Sequence, residues 1–496
     1  MSKTAEHVPL AGVEIDRRHP TPLAAQLYEG LRHAILRGQL RPGDRLPSTR
    51  LLATDFGVAR NTVTGAYEQL LAEGYVESKV GSGTCVARSL PDELLSASLD
   101  ATRAGPRHMR RRSLSRRGRM LSSRPVRVLT AAGRPQPFAS GLPDLHEFPF
   151  TTWARLMARH WRRPGYNLVG YGDPAGYKPL REAIAAYLRA SRAVRCETEQ
   201  VVIVSGSQQA LDIAARLLLD PGDAALLEDP GYPGARVALS AAGASLLRLP
   251  VDGEGANIAA APAQASAAQV AFVTPSHHFP LGVTMSVARR LALLEWAERT
   301  GAWILEDDYD SEYRYRGKPL PSLQGLDAAG RVVYMGSFSK TMFPSLRLGF
   351  LVLPGELVEA FRRARSVIDG HSPMTEQAVL ADFISLGHFA RHIRRMRTLY
   401  EERQSALVEA AQRELDGLLE VRPSDGGMHL VGWLPQDVDD VKASERASAA
   451  GVYTRPLSSC AVAKVRRGGL LLGYAALTTA QIREGVRKLA QALRSP

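Results

Sequence analysis

The 496-residue sequence contains only three cysteines, Cys85, Cys196 and Cys460, and they lie far apart along the chain. They form no CxxC pair and no cysteine–histidine pairing, so the sequence offers neither a disulfide framework nor a zinc site. No apolar run is long enough to cross a membrane, and residues 1–12 lack the basic patch and apolar stretch of a secretory signal. We therefore expect a soluble protein of the reducing cytoplasm, without membrane contact.

Composition and length indicate a folded protein of more than one domain. Apolar residues make up 45% and charged residues 23% of the chain, which excludes global disorder. A chain of this length exceeds the usual size of one folding unit, so at least two domains are expected. Lysine and arginine total 63 against 50 acidic residues, which gives a net charge of +13. Such an excess is compatible with a polyanionic partner.

Three regions differ in composition. Residues 1–88 combine amphipathic helical patterns with polar turns and end in a glycine-rich hairpin. Residues 89–135 are rich in arginine among serine, glycine and proline, and they predict a flexible basic linker. Residues 136–496 alternate helical patterns with short β-branched runs, for example at 201–204, 270–273 and 332–334. This alternation predicts an α/β domain whose mainly parallel sheet has helices on both faces.

The N-terminal region predicts a small α+β unit of the winged helix-turn-helix type. Ser48 is a predicted N-cap of a short helix, and Ala53 and Gly57 are small where two helices must cross closely. A second helix follows at about 60–73, and its predicted buried face consists of Val63, Tyr67, Leu70 and Leu71. Residues 75–86, with Gly81 and Gly83 at the tip, predict a two-stranded wing.

The second helix opens with polar side chains that suit contact with base edges and phosphates. Residues 42–84, PGDRLPSTRLLATDFGVARNTVTGAYEQLLAEGYVESKVGSGT, closely resemble the GntR family of regulators. The resemblance implies binding to operator DNA as a dimer, and five positions match DNA contacts in relatives: Arg50, Arg60, Asn61, Thr62 and Gly83. The alternative is a helical packing module whose arginines are only solvated. For the linker, a solvated charge run and a second DNA contact both stay open.

The C-terminal region contains the parts that Schiff-base chemistry needs, beginning with an anion site. Gly206, Ser207 and Gln208 follow an apolar run and precede a helical pattern, so their amides and side chains lie at a helix N-terminus. This placement predicts a phosphate cradle, whereas a lone Gly-Ser-Gln triplet is more often a plain strand-to-helix turn. Tyr232, in LLEDPGYPG, is placed in a loop where its ring can lie flat on a pyridine ring; a packed surface tyrosine is the alternative.

Two further segments supply a carboxylate and an amine. AWILEDDYDSEYRY ends an apolar run with acidic residues, of which Asp307 is the predicted partner of a pyridinium nitrogen and Tyr309 a donor to a ring hydroxyl. Helix-capping acids are the alternative. VVYMGSFSKTMFPSLRLGF places Lys340 between small residues after a strand, with Arg347 seven positions later. A lysine in such an apolar setting is a candidate for a desolvated amine.

Together, YGDPAGYKPLREAIAAYL, SGSQQAL, EDPGYPG, EDDYD and SFSKTMFPSLRLG resemble fold-type I aminotransferases over residues 138–496. The resemblance implies pyridoxal 5'-phosphate as cofactor, with Lys340 as the Schiff-base lysine, Asp307 at the ring nitrogen, Tyr309 at the ring hydroxyl and Tyr232 stacked on the ring. It also implies a phosphate site at Ser207, Gln208, Ser337 and Arg347, and the cofactor-binding set is completed by Gly206 and Ser339.

A GntR-type DNA-binding domain joined to an aminotransferase-like domain resembles the MocR subfamily, in which the cofactor domain serves effector sensing. The expected function is a transcription regulator that senses a small amine, amino acid or B6 vitamer through an internal aldimine, without net catalytic turnover. A homodimer is implied, and RNA polymerase is a further expected partner. Two alternatives stay open: an active aminotransferase with an accessory DNA-binding domain, and a regulator whose large domain has lost the cofactor.

Two departures limit what the resemblance carries over. The Asn-Pro-x-Gly of many aminotransferases is replaced by Phe-Pro-Leu-Gly from Phe279 to Gly282, so the asparagine that usually meets the ring hydroxyl is absent. His277 could substitute, but we expect it to be a loop histidine bonded to backbone. Ser459 stands where relatives that bind an amino acid carboxylate have an arginine, and Arg455 lies nearby but out of step.

Overall fold

The computed structural model describes most of the chain, in these ranges: 13, 15–79, 83–90, 113–122, 130–131, 134–317 and 320–494. Its residues divide into two compact units, Met1–Ser113 and Leu114–Pro496. Gly81 of the predicted wing and most of the predicted linker lie outside the described residues, so the division into 1–88, 89–135 and 136–496 stays a prediction. Within the described part of the chain, no helix is both long and apolar enough to span a membrane.

In the described residues of the N-terminal unit, three helices are followed by two antiparallel strands, β1 and β2. The elements are Leu23–Leu36, Thr49–Asp55, Arg60–Ala72, Val76–Lys79 (β1) and Gly83–Val86 (β2). Ser48 caps the second helix as predicted, because its side chain accepts a hydrogen bond from the Leu51 amide. The prediction for Leu71 was wrong: Leu71 is 46% exposed, because it lies about 100° around the helix from the buried Leu70.

The large unit is built on a sheet of eight strands in the order β5-β12-β11-β10-β9-β6-β7-β8. Strands β7, β6, β9, β10 and β11 run parallel, whereas β12 is antiparallel to both of its neighbours and β8 is antiparallel to β7. The mainly parallel sheet is therefore confirmed. The strands are Val201–Val204 (β5), Ala224–Asp229 (β6), Ser245–Asp252 (β7), Gly255–Ala256 (β8), Ala268–Val273 (β9), Trp303–Asp307 (β10), Val332–Ser337 (β11) and Gly349–Val352 (β12).

Helices cover both faces of this sheet, as the alternation of its side chains shows. In β5, Val202 and Val204 join one buried cluster, whereas Val201 and Ile203 join another on the opposite face. Helices of the large unit are Arg116–Ser122, Phe150–Arg162, Tyr166–Val169, Lys178–Arg192, Ser207–Leu218, Pro233–Ala242, Val287–Thr300, Leu323–Leu326, Gly355–Ile368, Met374–Ser385, His388–Glu414, Asp440–Ala449 and Thr479–Arg494. Continuous apolar strands between two helical layers are the expected result of burial on both sides.

A smaller sheet in the order β13-β14-β16-β15 follows near the end of the chain. Its strands are Glu420–Val421 (β13), His429–Trp433 (β14), Arg455–Pro456 (β15) and Gly469–Gly473 (β16), and all pairs are antiparallel. A short hairpin, Thr130–Ala131 (β3) with Arg134–Pro135 (β4), precedes the large sheet in sequence. Strand β14 begins with His429 and strand β15 begins with Arg455, and both residues line a cavity of the large unit that is described below.

A buried ion pair stabilises the large sheet beside the carboxyl end of β10. Arg192 Nε lies 2.8 Å from Asp308 Oδ2, and both side chains are at most 7% exposed. The Tyr334 and Ser311 hydroxyls donate further hydrogen bonds to the same carboxylate at 2.5 and 2.9 Å. Burial disfavours the charged form of Asp308, but Arg192 and these hydroxyls outweigh it and lower its pKa. Asp308 is therefore held as a carboxylate by its own cation.

We predict that Arg192→Ala lowers the free energy of unfolding of the large unit by about 3–5 kcal/mol, because Asp308 would stay buried without its cation. Urea denaturation followed by circular dichroism measures the loss. Arg216→Ala is the control, since Arg216 pairs with Asp212 on the surface with 57% of its side chain exposed. An exposed pair contributes at most about 1 kcal/mol. Equal losses in both variants would contradict a stabilising role for the buried pair.

Candidate functional site

A cavity of about 330 Å³ lies at the carboxyl ends of the central strands of the large sheet. This edge is where ligands bind in open α/β sheets, because the loops that leave parallel strands converge there. All ten residues predicted to bind a cofactor line the cavity: Gly206, Ser207, Gln208, Tyr232, Asp307, Tyr309, Ser337, Ser339, Lys340 and Arg347. The fold thus brings together residues from distant parts of the chain.

One end of the cavity combines a helix N-terminus with a guanidinium group. Gly206 adopts a φ of 108°, which an L side chain rarely tolerates, and it is the N-cap residue of the helix Ser207–Leu218, whose first residues Ser207 and Gln208 line the cavity. The guanidinium nitrogens of Arg347 lie 3.7 and 3.8 Å from the position that a Cβ on Gly206 would take. Among the described residues, no carboxylate forms an ion pair with Arg347. A helix N-terminus beside such a guanidinium suits a phosphate group.

Lys340 brings a half-buried amine to the cavity. Its Nζ donates a hydrogen bond of 2.7 Å to the Gly141 carbonyl oxygen. Burial lowers the pKa of this amine, while the carboxylates of Asp310 and Asp307 oppose the shift. Gly141 has a φ of 90°, and a Cβ there would lie 2.9 Å from the amine. Sequence reasoning missed Gly141, because its contribution is a backbone carbonyl rather than a side chain.

Asp307 ends β10 and is 5% exposed. Burial raises the pKa of its carboxyl to about 7, and the nearby charges of Asp308 and Asp310 act in the same direction. Its side chain accepts a long hydrogen bond of 3.5 Å from the Ser207 hydroxyl. Within the described ranges, no lysine or arginine lies at ion-pair distance from it. A cation placed in the cavity opposite Asp307 would therefore be strongly favoured.

Tyr309 is held by a histidine that the sequence analysis misjudged. His277 Nδ1 lies 3.0 Å from the Tyr309 hydroxyl and 3.0 Å from Asp310 Oδ2. The expectation that His277 bonds backbone was wrong, because the loop after β9 turns its buried ring toward the side chains that follow β10. Burial raises the pKa of Tyr309 well above its usual value, and Asp310 and Asp307 add to this effect. The phenol therefore stays protonated.

Tyr232 forms an aromatic wall of the cavity together with Phe279. It caps the helix Pro233–Ala242, and its ring packs edge-on against Phe279 with centroids 5.8 Å apart. Burial raises the pKa of Tyr232 to about 12, so it is a neutral, largely apolar surface. The sequence analysis assigned no cofactor role to the remaining lining residues, which are Ser140, Gly141, Leu142, Thr274, Phe279, Asp310, Pro344, Met428, His429 and Arg455.

The predicted DNA-contact residues lie on the surface of the N-terminal unit. Arg60 and Asn61 are exposed in the first turn of the helix Arg60–Ala72, and Thr62 is half-buried beside them. Arg60 Nε lies 3.3 Å from the Thr49 hydroxyl, next in sequence to the exposed Arg50. Gly83 begins β2 with a φ of 82° and is exposed. The first turn of this helix thus presents polar side chains to solvent, an arrangement suited to reading DNA.

Comparison with known families agrees with this two-part organisation. A model of the class I and II aminotransferase family matches residues 138–489, and a model of the gntR family of bacterial regulatory proteins matches residues 23–86. The chain is 46% identical over 478 residues to the probable rhizopine catabolism regulatory protein MocR of Rhizobium meliloti, covering 96% of this chain and 95% of that one. It is 32% identical to the pyridoxine biosynthesis transcriptional regulator PdxR of Corynebacterium glutamicum, covering 84% and 85%.

Two of the solved structures that resemble the large unit are aminotransferases. A kynurenine aminotransferase of Pyrococcus horikoshii aligns with a TM-score of 0.67 at 29% identity, covering 72% of this chain and 90% of that one. The α-aminoadipate aminotransferase LysN of Thermus thermophilus, complexed with N-(5'-phosphopyridoxyl)-L-leucine, aligns with a TM-score of 0.67 at 31% identity, covering 72% and 91%. The chain therefore belongs to the MocR-type regulators of the gntR family, which join a winged helix-turn-helix to a fold-type I aminotransferase domain.

Proposed function

We propose that this protein is a pyridoxal phosphate-dependent transcription regulator that binds operator DNA and senses a small amine, amino acid or B6 vitamer. The observation that carries the proposal is the cavity itself. The Lys340 amine, the buried Asp307 carboxylate and a helix N-terminus beside Arg347 lie around one space of about 330 Å³, in a chain that also carries a gntR-type unit. Ligand binding in the cavity would bias DNA binding if the ligand had different affinities for two states of the protein that differ in DNA affinity.

The charges of the cavity fit pyridoxal phosphate at three points. Arg347 and the amides at Gly206 and Ser207 would hold the phosphate, and Asp307 would face the protonated ring nitrogen. The raised pKa of Asp307 supports this placement, because a buried carboxylate without a cation is poorly stabilised and a pyridinium would supply one. When bound, pyridoxal phosphate supplies an aldehyde that bonds to amines and a ring that withdraws electrons.

Lys340, Tyr309 and Tyr232 would orient such a ring. Lys340 presents an amine that burial keeps ready to react, and the Gly141 carbonyl fixes its direction at 2.7 Å. Tyr309 would donate to the ring hydroxyl, in the place where many aminotransferases also have an asparagine. Here His277 and Asp310 hold Tyr309 from behind, so the phenol is positioned without that asparagine. Tyr232 offers the flat surface on which the ring would stack.

A working aminotransferase is the second candidate, and one observation favours it: the cavity keeps all ten residues that the resemblance assigns to cofactor binding. A regulator needs only that an effector amine compete with Lys340 for the cofactor and change the affinity for DNA. An enzyme must also release a keto product and repeat the cycle. Measuring steady turnover of amino donors with keto acid acceptors separates the two, since values of about 1 per second or more are usual for enzymes.

We also propose that the protein acts as a homodimer through an exposed apolar surface of the large unit. Tyr166, Val169 and Tyr171 are 82%, 56% and 98% exposed, and Val367 on a neighbouring segment is 87% exposed. The two segments adjoin, because the rings of Tyr171 and His371 lie 6.4 Å apart. Exposed clusters of this kind are typical of protein–protein interfaces. A second copy of the chain is the occupant that the family resemblance implies.

We predict that borohydride reduction traps a phosphopyridoxyl group on Lys340 of the wild-type protein, found by peptide mass spectrometry. Lys340→Ala should carry no adduct and lose the visible absorption, because no other lysine among the described residues lines the cavity. Lys178→Ala is the control, since Lys178 is 66% exposed on a helix surface. Protein saturated with pyridoxal phosphate but unmodified at Lys340 would refute the proposed function.

We predict that Arg60→Ala weakens binding to the operator by about 1–3 kcal/mol and reduces discrimination against altered operators, because Arg60 would lose a base contact. Fluorescence anisotropy at fixed salt, with DNA from upstream of the protein's own gene, measures both effects. Arg37→Ala is the control, because Arg37 is also exposed but ends the first helix. If Arg37→Ala weakened binding as much as Arg60→Ala, the Arg60–Ala72 helix would not be the reading element.

We predict that Val169→Glu shifts the protein toward monomers, because a charge in the apolar surface would be buried without a partner. Light scattering coupled to size-exclusion chromatography reports the mass. Val441→Glu is the matched control, since Val441 is 43% exposed on the helix Asp440–Ala449. A dimer that survives Val169→Glu unchanged, or a wild-type monomer at micromolar concentration, would contradict the proposed interface.

A further inference from the structure

Arg455 enters the central cavity, although sequence reasoning assigned it no role there. It begins β15, where its backbone pairs with Leu471 of β16, and its half-buried side chain lines the cavity. The guanidinium lies 5.7 Å from the centroid of the Phe279 ring and hydrogen-bonds the Cys460 sulfur. These neighbours are an aromatic face and a thiol, and neither neutralises a positive charge.

Four buried guanidinium groups elsewhere in the large unit have strong partners. Arg192, Arg403 and Arg365 each lie within 2.8 Å of a carboxylate oxygen. Arg290 instead donates hydrogen bonds to three backbone carbonyl oxygens. For Arg455, by contrast, no ion pair is present among the described residues. A half-buried guanidinium that has no anion in the described fold is available to form a bidentate pair with a carboxylate that enters the cavity.

The proposed cofactor leaves Arg455 without an anionic partner. The phosphate would meet Arg347, and the ring nitrogen would meet Asp307. His429, which also lines the cavity, has its Nε2 atom 3.0 Å from the Pro280 carbonyl oxygen. It stays neutral because burial lowers its pKa to about 3. Arg455 is therefore the cation of the cavity that the cofactor does not use.

Phe279 places Arg455 next to the proposed cofactor ring. The Phe279 ring packs against Tyr232 at 5.8 Å and against Tyr309 at 6.4 Å, the two residues assigned to the ring face and the ring hydroxyl. Arg455 lies over that same Phe279 ring. A small molecule whose amine reaches the cofactor would thus extend toward the guanidinium. Two such contacts would fix both ends of the molecule.

We infer that Arg455 binds a carboxylate of the effector, so that the sensed molecule is an amino acid rather than a simple amine. The planar guanidinium offers two parallel N–H donors to one carboxylate, which an ammonium group cannot match. Arg455 would thereby replace the arginine that is absent at Ser459, from a different position of the same segment. This inference rests on the proposed function, since it needs the cofactor at Lys340.

The test compares compounds that differ only by a carboxylate, with the visible spectrum of the cofactor-loaded protein as readout. The pairs are L-alanine with ethylamine and L-ornithine with 1,4-diaminobutane. We expect half-maximal spectral change at concentrations at least about tenfold lower for the carboxylate member of each pair, the ratio that about 1.4 kcal/mol of differential binding gives. Arg455→Gln should remove this ratio, and Arg455→Lys should restore part of it because charge returns without the planar fork.

Arg466→Gln is the matched control, because Arg466 lies in the same region of the chain but does not line the cavity. It should keep the wild-type ratio. Equal responses to both members of each pair in the wild-type protein would overturn the inference, as would a ratio that persists in Arg455→Gln or a lack of any response to the carboxylate compounds. If borohydride traps nothing on Lys340 in the wild-type protein, the proposed function itself has failed, and the two failures are thus distinguishable.

Discussion

Two adjacent carboxylates, Asp307 and Asp308, have different roles in the large unit: Asp308 pairs with Arg192, and Asp307 lines the cavity. Asp307 and Asp308 lie at the end of the same strand and are both buried, but only Asp308 has a cation, Arg192, at 2.8 Å among the described residues. Alternate side chains of a strand point to opposite faces, so one carboxylate meets Arg192 and the other faces the cavity. Asp308 is thereby neutralised within the fold, while Asp307 is left for a ligand. The cost of burying an unpaired carboxylate is offset when a cation binds opposite it.

The same reasoning applies to the cavity as a whole. Arg347 and Arg455 are cations without carboxylate partners among the described residues, and Asp307 is an anion without a cation there. Pyridoxal phosphate would supply the opposite charge to Arg347 and Asp307. Arg455 would remain, and we infer that it meets the carboxylate of the effector. A site whose charges are incomplete without ligands suits sensing, because ligand binding then stabilises one conformation of the protein over another.

Phe279 replaces the asparagine found in many aminotransferases, and a nearby histidine, His277, contacts Tyr309. The asparagine usually found before the cavity proline is Phe279 here, and His277, two positions earlier, reaches Tyr309 instead. Phe279 in turn packs against Tyr232 and lies beneath the Arg455 guanidinium. The aromatic ring therefore joins the proposed ring-binding residues to the proposed effector-binding residue. Changes that look independent in the sequence are neighbours in space, and they are expected to act together.

Local sequence patterns predicted the mainly parallel sheet, and together with the resemblance to aminotransferases they selected ten of the residues that line the cavity. Apolar runs that end near Gly206, Asp307 or Ser337 place those residues at strand ends that share one edge of the sheet. The contacts of Gly141, His277 and Arg455 became visible only in the folded chain. A backbone carbonyl leaves no trace in residue type, and the direction of a loop side chain depends on packing between segments far apart in the sequence.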